Sequence, residues 1–400
     1  MDYLERIGLP GRFFWKCGRL EFLVFILLLA ETAFYQAPAQ YRNDFTIYYY
    51  AARSFVDGHS PYDNAAMSTY LGYTLPFPYP YPPPTILFWA PFTLVDFQSA
   101  RYIYALLQTL VVGFTAYVWV RFFLEGEVDP TTYFFLFLGY NCSLLLQIIS
   151  GNAAFIEQAL LWAGFLFYVR GRLAPFCALV LAAAAFKVTP AFFLVLLLFS
   201  DDARRRRYLL VSAAVLLAYL AIPFLAAPAY WEGYSRNIGV WYSFPNERGI
   251  IAPCNLAFIT DILGFAGIRG PDYLPLALYS AVAASVAYVS LRAIRSMMRR
   301  GDTTRIVFFT CLAYALTALR FKDYQYPILL LPTLYILRSG NYARHYLPLL
   351  ILLLAVVPYG ELLTGWLYIL SYYPLFAAYA VWFLYIRGEF TGCRALTCGG

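Results

Sequence analysis

The sequence contains few charged residues and almost no lysine. Asp, Glu, Lys and Arg together make up 13% of its 400 residues, while 62% are hydrophobic and the mean hydropathy is +0.62. Lysine occurs only at Lys16, Lys187 and Lys322. This composition excludes an ordinary soluble domain, and the long apolar runs are typical of a protein that crosses a membrane many times.

The scarcity of other residues excludes several kinds of site. The seven cysteines form no Cys-x-x-Cys pair and mostly lie in apolar runs, so neither structural disulfides nor a thiolate metal site is expected. His59 is the one histidine in the predicted outer loops, and no second histidine offers metal-ligand spacing. No cofactor is therefore predicted, although a divalent metal shared by Asp44 and Asp63 is not excluded.

Basic residues predict the topology. The net charge is +7, but the arginines are concentrated in short connectors between apolar runs, which indicates cytoplasmic turns and argues against nucleic-acid binding. The first apolar run, residues 20–35, follows basic residues without a cleavage site and is predicted to be an uncleaved signal anchor. Length and periodicity predict an all-α, multi-pass membrane protein with about twelve transmembrane helices in a single domain, residues 1–400.

Two predicted outer loops are long enough to build a site, residues 36–84 and 227–272. The first is predicted to hold an interfacial helix at residues 45–56, followed by a stiff, extended proline-aromatic run at residues 76–84. Elsewhere, the apolar run at residues 131–149 is broken by a polar asparagine, which is consistent with a re-entrant segment.

Asp44 follows the first apolar run, in the segment Asn-Asp-Phe-Thr-Ile-Tyr-Tyr-Tyr-Ala-Ala-Arg that starts at Asn43. A carboxylate at the point where the chain leaves the bilayer is a candidate catalytic base. A structural alternative is that Asn43 or Asp44 caps the helix that begins near Phe45. Capping would lower the pKa of Asp44 and make it a weaker base.

Two cationic segments are predicted on the same outer face as Asp44. Lys187 lies in the apolar segment Ala-Phe-Lys-Val-Thr-Pro, where a cation is unfavourable unless it meets an anion, so it is a candidate phosphate ligand. Its structural alternative is a snorkelling lysine that anchors a helix end. Arg320 and Lys322, in Arg-Phe-Lys-Asp-Tyr-Gln-Tyr, are candidates for the same phosphate or for an interfacial ion pair.

Aromatic and polar side chains in these outer segments suit a sugar, because the apolar face of a pyranose stacks on rings while its hydroxyls need donors and acceptors. The same composition describes an aromatic belt at the lipid headgroups, which composition alone favours. Glu157 lies a little over one turn beyond Asn152, and it reaches either the same cavity or a neighbouring helix. The candidate substrate-binding residues are Tyr48, His59, Tyr62, Asp63, Asn152, Glu157, Trp241, Asn246 and Asp323.

In their order and spacing, several motifs of the chain resemble glycosyltransferase family 87. They are Asp-Phe-x-x-Tyr-Tyr-x-Ala-Ala-Arg from Asp44, Gly-His-Ser-Pro-Tyr-Asp from Gly58, Tyr-Pro-Pro-Pro ending at Pro84, Gly-Asn ending at Asn152, and Ala-Phe-Lys-Val-Thr-Pro ending at Pro190. The resemblance covers about the first half of the chain.

That family consists of integral-membrane enzymes of the GT-C superfamily. The resemblance implies an inverting transfer from a polyprenyl-phosphate sugar to a glycolipid or glycan acceptor, on the extracytoplasmic side of the plasma membrane and among its lipids. Mannose would be the sugar and an α-linkage the product, with Asp44 as the base and Lys187 near the donor phosphate. Members often carry a histidine pair where this chain has Lys322 and Asp323, which implies either that this turn does not bind the donor phosphate or that its phosphate site is built differently.

Other functions are weighed against this one. A nucleotide-sugar enzyme is disfavoured because the chain has no Asp-x-Asp motif and no Rossmann-like domain. An arabinofuranosyltransferase with a polyprenyl-phosphate donor is an alternative. A lipid-linked-sugar transporter or flippase is another, although the polar groups gather at one edge of the spans rather than along a path. A structural membrane protein has no need of an apolar-embedded cation such as Lys187.

Overall fold

The computed structural model describes residues 19–36, 44–71, 78–125, 128, 130–242, 247–268, 270–339, 353–355 and 363–397. Within these ranges every regular element is a helix, so the predicted all-α class is confirmed. The α-helices are α1 Arg19–Gln36, α2 Asp44–Val56, α3 Asn64–Leu71, α4 Ile86–Trp89, α5 Phe97–Val118, α6 Pro130–Ile149, α7 Ala154–Val169, α8 Leu173–Phe186, α9 Arg205–Ala226, α10 Pro228–Tyr242, α11 Asn255–Phe265, α12 Leu274–Arg299, α13 Thr303–Thr317, α14 Pro327–Ser339 and α15 Tyr373–Thr397.

Five segments are long and apolar enough to cross a bilayer. They are α5 extended by a π turn to Phe123, then α6, α9, α12 and the segment Gly365–Gly388. Six shorter apolar helices, of 10–17 residues, fall below the roughly 20 residues that a full span needs. The described residues therefore contain fewer full-length spans than the twelve predicted, because several apolar runs fold as short helices, and two of these, α7 and α8, pack side by side.

The spans differ in how much of their surface the protein itself covers. In their most apolar stretches α5 and α6 are 56% and 61% buried, whereas α9 and α12 are 11% and 17% buried. Exposed leucines and valines along α9, among them Leu210 and Leu217, would face water in a soluble protein. Exposed apolar surfaces of this kind are typical of a membrane protein, in which they contact lipid instead of water.

Helix α6 is interrupted at residues 139–142. Tyr140, Asn141 and Cys142 all have φ between 52° and 60°, the left-handed region that residues other than glycine rarely adopt. The preceding Gly139 allows α14 to come close, since an added Cβ would lie 2.7 Å from Leu330 Cδ2. The break predicted at this asparagine is confirmed, and its re-entrant path stays a prediction.

The first outer loop is helical where the sequence predicted a helix. Helix α2 covers Asp44–Val56, which confirms the helix predicted at residues 45–56, and its position at the lipid interface stays a prediction. The end of the proline-aromatic run differs from the prediction. Pro83–Thr85 forms a 3-10 turn instead of extended chain, because prolines at the first positions of a helical turn lose no intrahelical hydrogen bond.

Candidate active site

One cavity of about 370 Å³ lies where several segments of the chain meet. They include the first turns of α2, residues 80–82, the turn between α6 and α7, the residues that follow α8, helix α10, and the end of α13 with its connection to α14. Six residues singled out from the sequence line it: Asp44, Tyr48, Asn152, Lys187, Arg320 and Lys322. The cavity therefore gathers one carboxylate and three cations from distant parts of the chain.

Asp44 is the first residue of α2, and both its backbone and its side chain are fixed to the turn between α6 and α7. Its backbone N–H donates to Ser150 O at 2.8 Å, and its Oδ2 accepts from Asn152 Nδ2 at 2.5 Å. Asn152 Oδ1 accepts from the backbone N–H of Ala154 at 2.9 Å, which sets the orientation of the amide. The Asp44 carboxylate thus accepts a hydrogen bond from an amide in a distant part of the chain.

Burial changes the acidity of the charged groups in the cavity. It raises the pKa of Asp44 above its ordinary value, and the Lys322 ammonium, the Asn152 hydrogen bond and Lys187 partly offset that shift. Burial also lowers the pKa of Lys187. Burial together with the Arg320 guanidinium lowers the pKa of Lys322 to about 8. A carboxylate with a raised pKa is a stronger base, so this environment favours proton transfer to Asp44.

Tyr324 lies between the two lysines of the cavity. Its ring centroid is 6.0 Å from Lys187 Nζ and 5.5 Å from Lys322 Nζ, both within the range of cation–π attraction. The backbone carbonyl of Tyr324 accepts from Gln147 Nε2 of α6 at 3.0 Å, which ties this residue to the second half of α6. Two ammonium groups are thus arranged about one aromatic ring in the cavity wall.

Glu247 pairs with the other two basic residues of this wall. Its Oε1 is 2.5 Å from Lys322 Nζ, and its Oε2 contacts Arg320 Nη2. The three side chains are 11%, 12% and 26% exposed, respectively. The ion pair that the sequence offered as an alternative does form, with Glu247 as its acid. Asp323 lies beside it, and its Oδ1 accepts from the backbone N–H of Tyr324 at 2.7 Å.

A group of tyrosines forms the aromatic side of the cavity. Tyr48 and Tyr81 both line it, and their hydroxyls are 3.0 Å apart. The Tyr48 ring stacks on Trp89 at 4.5 Å, and its hydroxyl accepts from the backbone N–H of Ala153 at 3.3 Å. Tyr62 supports this wall from behind, because its hydroxyl donates to the Tyr81 carbonyl at 2.7 Å. The Tyr48 and Tyr81 rings are nearly perpendicular, with an interplanar angle of 85°, and their contacts hold both in place in the cavity wall.

Several predicted site residues lie away from the cavity lining. His59 and Asp63 are exposed, and Asp63 caps α3 by accepting from the backbone N–H groups of its first turn. Glu157 is buried on α7, and the ammonium of Lys187 attracts its carboxylate electrostatically. Trp241 is at the end of α10, but its side chain lies outside the described residues, as does Asn246.

Four residues of the site were not assigned from the sequence. Tyr81, Tyr324 and Gln325 line the cavity, and Glu247 holds two of its cations. Tyr81 and Tyr324 each lie in a motif noted in the sequence, but among 37 tyrosines neither motif assigns them a role. Glu247 carried a signal, since a glutamate in an outer loop of a charge-poor chain calls for a partner.

No metal cluster is present in the described part of the chain. No group of three or more His, Cys, Asp or Glu side chains there is arranged to hold a metal ion. Asp63 does not join Asp44 at the cavity, because its carboxylate accepts from the backbone of α3. The shared-metal arrangement left open by the sequence therefore does not form between these two residues.

The chain is similar to one known protein family over more than half of its length. Residues 79–321 match the family model of glycosyltransferase family 87, which is more than half of the chain. The chain belongs to glycosyltransferase family 87. No curated protein and no solved structure matches it. Asp44 and Lys322 both lie outside the matched segment, so their roles rest on the geometry of the cavity.

Proposed function

We propose that this chain is an inverting glycosyltransferase of the GT-C type, which moves mannose from a polyprenyl-phosphate donor to a glycolipid or glycan acceptor. Transfer takes place on the extracytoplasmic side of the plasma membrane and forms an α-linkage. Family membership supports sugar transfer from a donor to an acceptor. The composition of the cavity supports the more specific features of the donor.

The observation that carries the proposal is the charge distribution of the cavity. Among the described residues of its lining, Asp44 supplies the one carboxylate, and Lys187, Arg320 and Lys322 supply three cations. Val188 and Phe192, at its edge, are 36% and 39% exposed and offer an apolar surface. A lipid phosphate needs such a combination, because its headgroup is anionic and its chain is apolar.

In the proposed reaction, Asp44 takes the proton of an acceptor hydroxyl as that oxygen bonds to the anomeric carbon. The bond between the anomeric carbon and the phosphate oxygen breaks at the same time, and its electron pair leaves with polyprenyl phosphate. Attack on the face opposite the leaving group converts a β-linked donor into an α-mannoside. A hydroxyl is a weak acid, so a positioned carboxylate is needed to accept its proton as the bond forms.

Lys187, Arg320 and Lys322 act on the leaving group. The departing phosphate gains negative charge in the transition state, and fixed cations in a water-poor cavity stabilise that charge without having to reorganise. Tyr48 and Tyr81 line the cavity together with Asp44, and they give this part of its wall the aromatic character that suits a sugar.

The direct test supplies the purified protein with two lipid-linked donors. Polyprenyl-phosphomannose and polyprenyl-phosphoarabinofuranose are each incubated with a glycolipid acceptor, and the products are identified by mass spectrometry and by the anomeric proton signal. We expect an α-mannoside from the first donor only. Transfer from the arabinose donor alone would mean that the transferred sugar is arabinofuranose and not mannose. Movement of the lipid-linked sugar across a vesicle membrane without transfer would contradict the proposal.

The side of the membrane has its own test. His59 is exposed next to the first outer loop's helix, and the Arg204 side chain is 69% exposed in a basic connector. A cysteine placed at His59 should react with an impermeant thiol reagent added to intact cells, and one placed at Arg204 should react only after lysis. The opposite pattern would place the cavity on the cytoplasmic side.

A further inference from the structure

Arg320 and Lys322 are held together by a residue that does not line the cavity. Both cations do line it, whereas Glu247 is not among the lining residues in the described part of the chain. Glu247 nonetheless contacts Lys322 Nζ at 2.5 Å and Arg320 Nη2 with its two different carboxylate oxygens. It therefore contacts both cations without being part of the described lining of the cavity.

The Glu247 carboxylate offsets the repulsion between Arg320 and Lys322. Two positive side chains that are two residues apart and largely withdrawn from water repel each other, and each loses favourable hydration. A carboxylate shared between them offsets the repulsion and binds one cation with each oxygen. Without it, the two side chains would separate or Lys322 would lose its proton, and in either case the cavity would lose a fixed cation.

We infer that Glu247 is a positioning residue of the donor site, which holds Arg320 and Lys322 in the cavity wall so that they can bind the donor phosphate. The inference rests on the proposed function. Glu247 does not touch the reacting atoms, and its effect passes through the two cations. It should therefore act on recognition of the phosphate group and not on recognition of the acceptor.

A surface ion pair of α10 provides a matched control. Glu232 and Arg236 are 3.0 Å apart, one helical turn from each other, and their side chains are 76% and 71% exposed. This pair has the same chemistry as the Glu247 pair but is surrounded by solvent, where such contacts contribute little. Glu232→Gln therefore reports the effect of losing a glutamate charge in the same outer region without changing the cavity.

The experiment measures binding of two lipids that differ only in their head. A polyprenyl monophosphate and the corresponding uncharged polyprenol are titrated against detergent-solubilised wild type, Glu247→Gln and Glu232→Gln. We expect wild type and Glu232→Gln to prefer the phosphate. Glu247→Gln should bind the phosphate about tenfold or more weakly, the scale of lost charge-assisted contacts, and should bind polyprenol unchanged. In the transfer assay its donor KM should rise while the acceptor KM stays constant.

A second variant covers the case in which Glu247→Gln does not fold. Glu247→Asp keeps the charge on a shorter side chain, so it should bind the phosphate with an affinity between those of wild type and Glu247→Gln. Unchanged phosphate affinity in whichever of the two variants folds would overturn the inference while leaving the proposed function intact. Tighter binding in Glu247→Gln would also overturn it, since Glu247 would then compete with the phosphate. A wild type that does not distinguish the two lipids would instead contradict the proposed function.

Discussion

The two charged walls of the cavity are held in different ways. Asp44 is held by a neutral amide, that of Asn152, which satisfies one carboxylate oxygen without adding charge. Arg320 and Lys322 are held by the opposite charge of Glu247. A neutral partner orients a carboxylate and leaves its negative charge available to a proton, whereas a charged partner lets two cations lie close together. The contrast fits a base on one wall and an anion site on the other. A substitution on either wall should therefore impair one of these two roles and leave the other.

The largest effect is expected from Asp44→Asn. The substitution keeps the size of the side chain but removes its ability to accept a proton, so turnover should fall by about a hundredfold or more, as for loss of a positioned general base. Binding of the lipid-phosphate donor should change little. Turnover and donor binding are measured on the same preparation, with Asp57→Asn as the control, because Asp57 is exposed at the end of the same helix. Near-normal turnover would assign Asp44 a structural role.

Lys187→Met should give the next largest effect. The variant keeps a long apolar side chain and removes the ammonium near Tyr324, so donor binding should weaken by about tenfold or more, the scale of contacts to a charged group. Titration with a polyprenyl monophosphate measures the loss, and the thermal unfolding midpoint shows whether the protein stays folded. Donor affinity equal to that of wild type would indicate that Lys187 anchors a helix end instead.

Asn152→Ala should change both the rate and its pH dependence. The Asn152 hydrogen bond lowers the pKa of Asp44, so its removal raises that pKa further. Since Asp44 must be ionised to act as a base, the acidic limb of the rate profile should move to higher pH, and the maximal rate should fall by about tenfold as the carboxylate loses its orientation. The pH profile of turnover is the measurement.

The control for Asn152→Ala is Gln108→Ala. Gln108 donates to the Ile148 carbonyl at 3.2 Å and so supports the end of α6, next to the turn that contains Asn152. Its loss should reduce stability and leave the acidic limb in place. Equal pH shifts in both variants would mean that the turn as a whole, and not the Asn152 amide, sets the acidity of Asp44.

Substitutions of Tyr324 should have the smallest effect on donor binding, and they separate the contribution of its ring from that of its hydroxyl. Tyr324→Phe keeps the ring between Lys187 and Lys322, so donor affinity should stay close to that of wild type. Tyr324→Leu removes the ring, and the loss of cation–π attraction should weaken donor binding by a few-fold, since such contacts contribute about 0.5–2 kcal/mol. A phosphate titration distinguishes the two. Equal losses in both variants would point to the hydroxyl rather than the ring.

The sequence identified the site residues whose chemistry conflicts with their surroundings. Asp44 and Lys187 are charges next to apolar runs in a chain with little charge, so each calls for a function or a partner. Tyr324 and Tyr81 lie in motifs noted in the sequence, but they were not assigned to the site, because a tyrosine in a tyrosine-rich chain is not unusual. The pairing of Glu247 with Lys322 was hidden for a different reason: the partners are 75 residues apart, and only the tertiary fold brings them together.

Some features of the helices were likewise predictable from the sequence and others were not. Apolar runs predicted the helices, but counting them overestimated the number of full-length spans in the described residues, since six apolar helices there have only 10–17 residues. The polar Asn141 predicted a break in α6, because an amide in an apolar run needs a partner. The left-handed backbone at that break was not predictable, since non-glycine residues adopt it only where the surrounding packing demands it.

The long separations between contacting residues have a consequence for synthesis of the protein. Asp44 meets Asn152 across 108 residues, and Gln147 meets Tyr324 across 177 residues. Translation proceeds from the N-terminus, so the contact that holds Asp44 can form well before the ribosome reaches Lys322 and Tyr324. A nascent chain that ends between Asn152 and Arg320 would contain Asp44 and its amide partner but not Arg320 and Lys322. The site is therefore completed late in membrane insertion, when the connection between α13 and α14 closes the cavity.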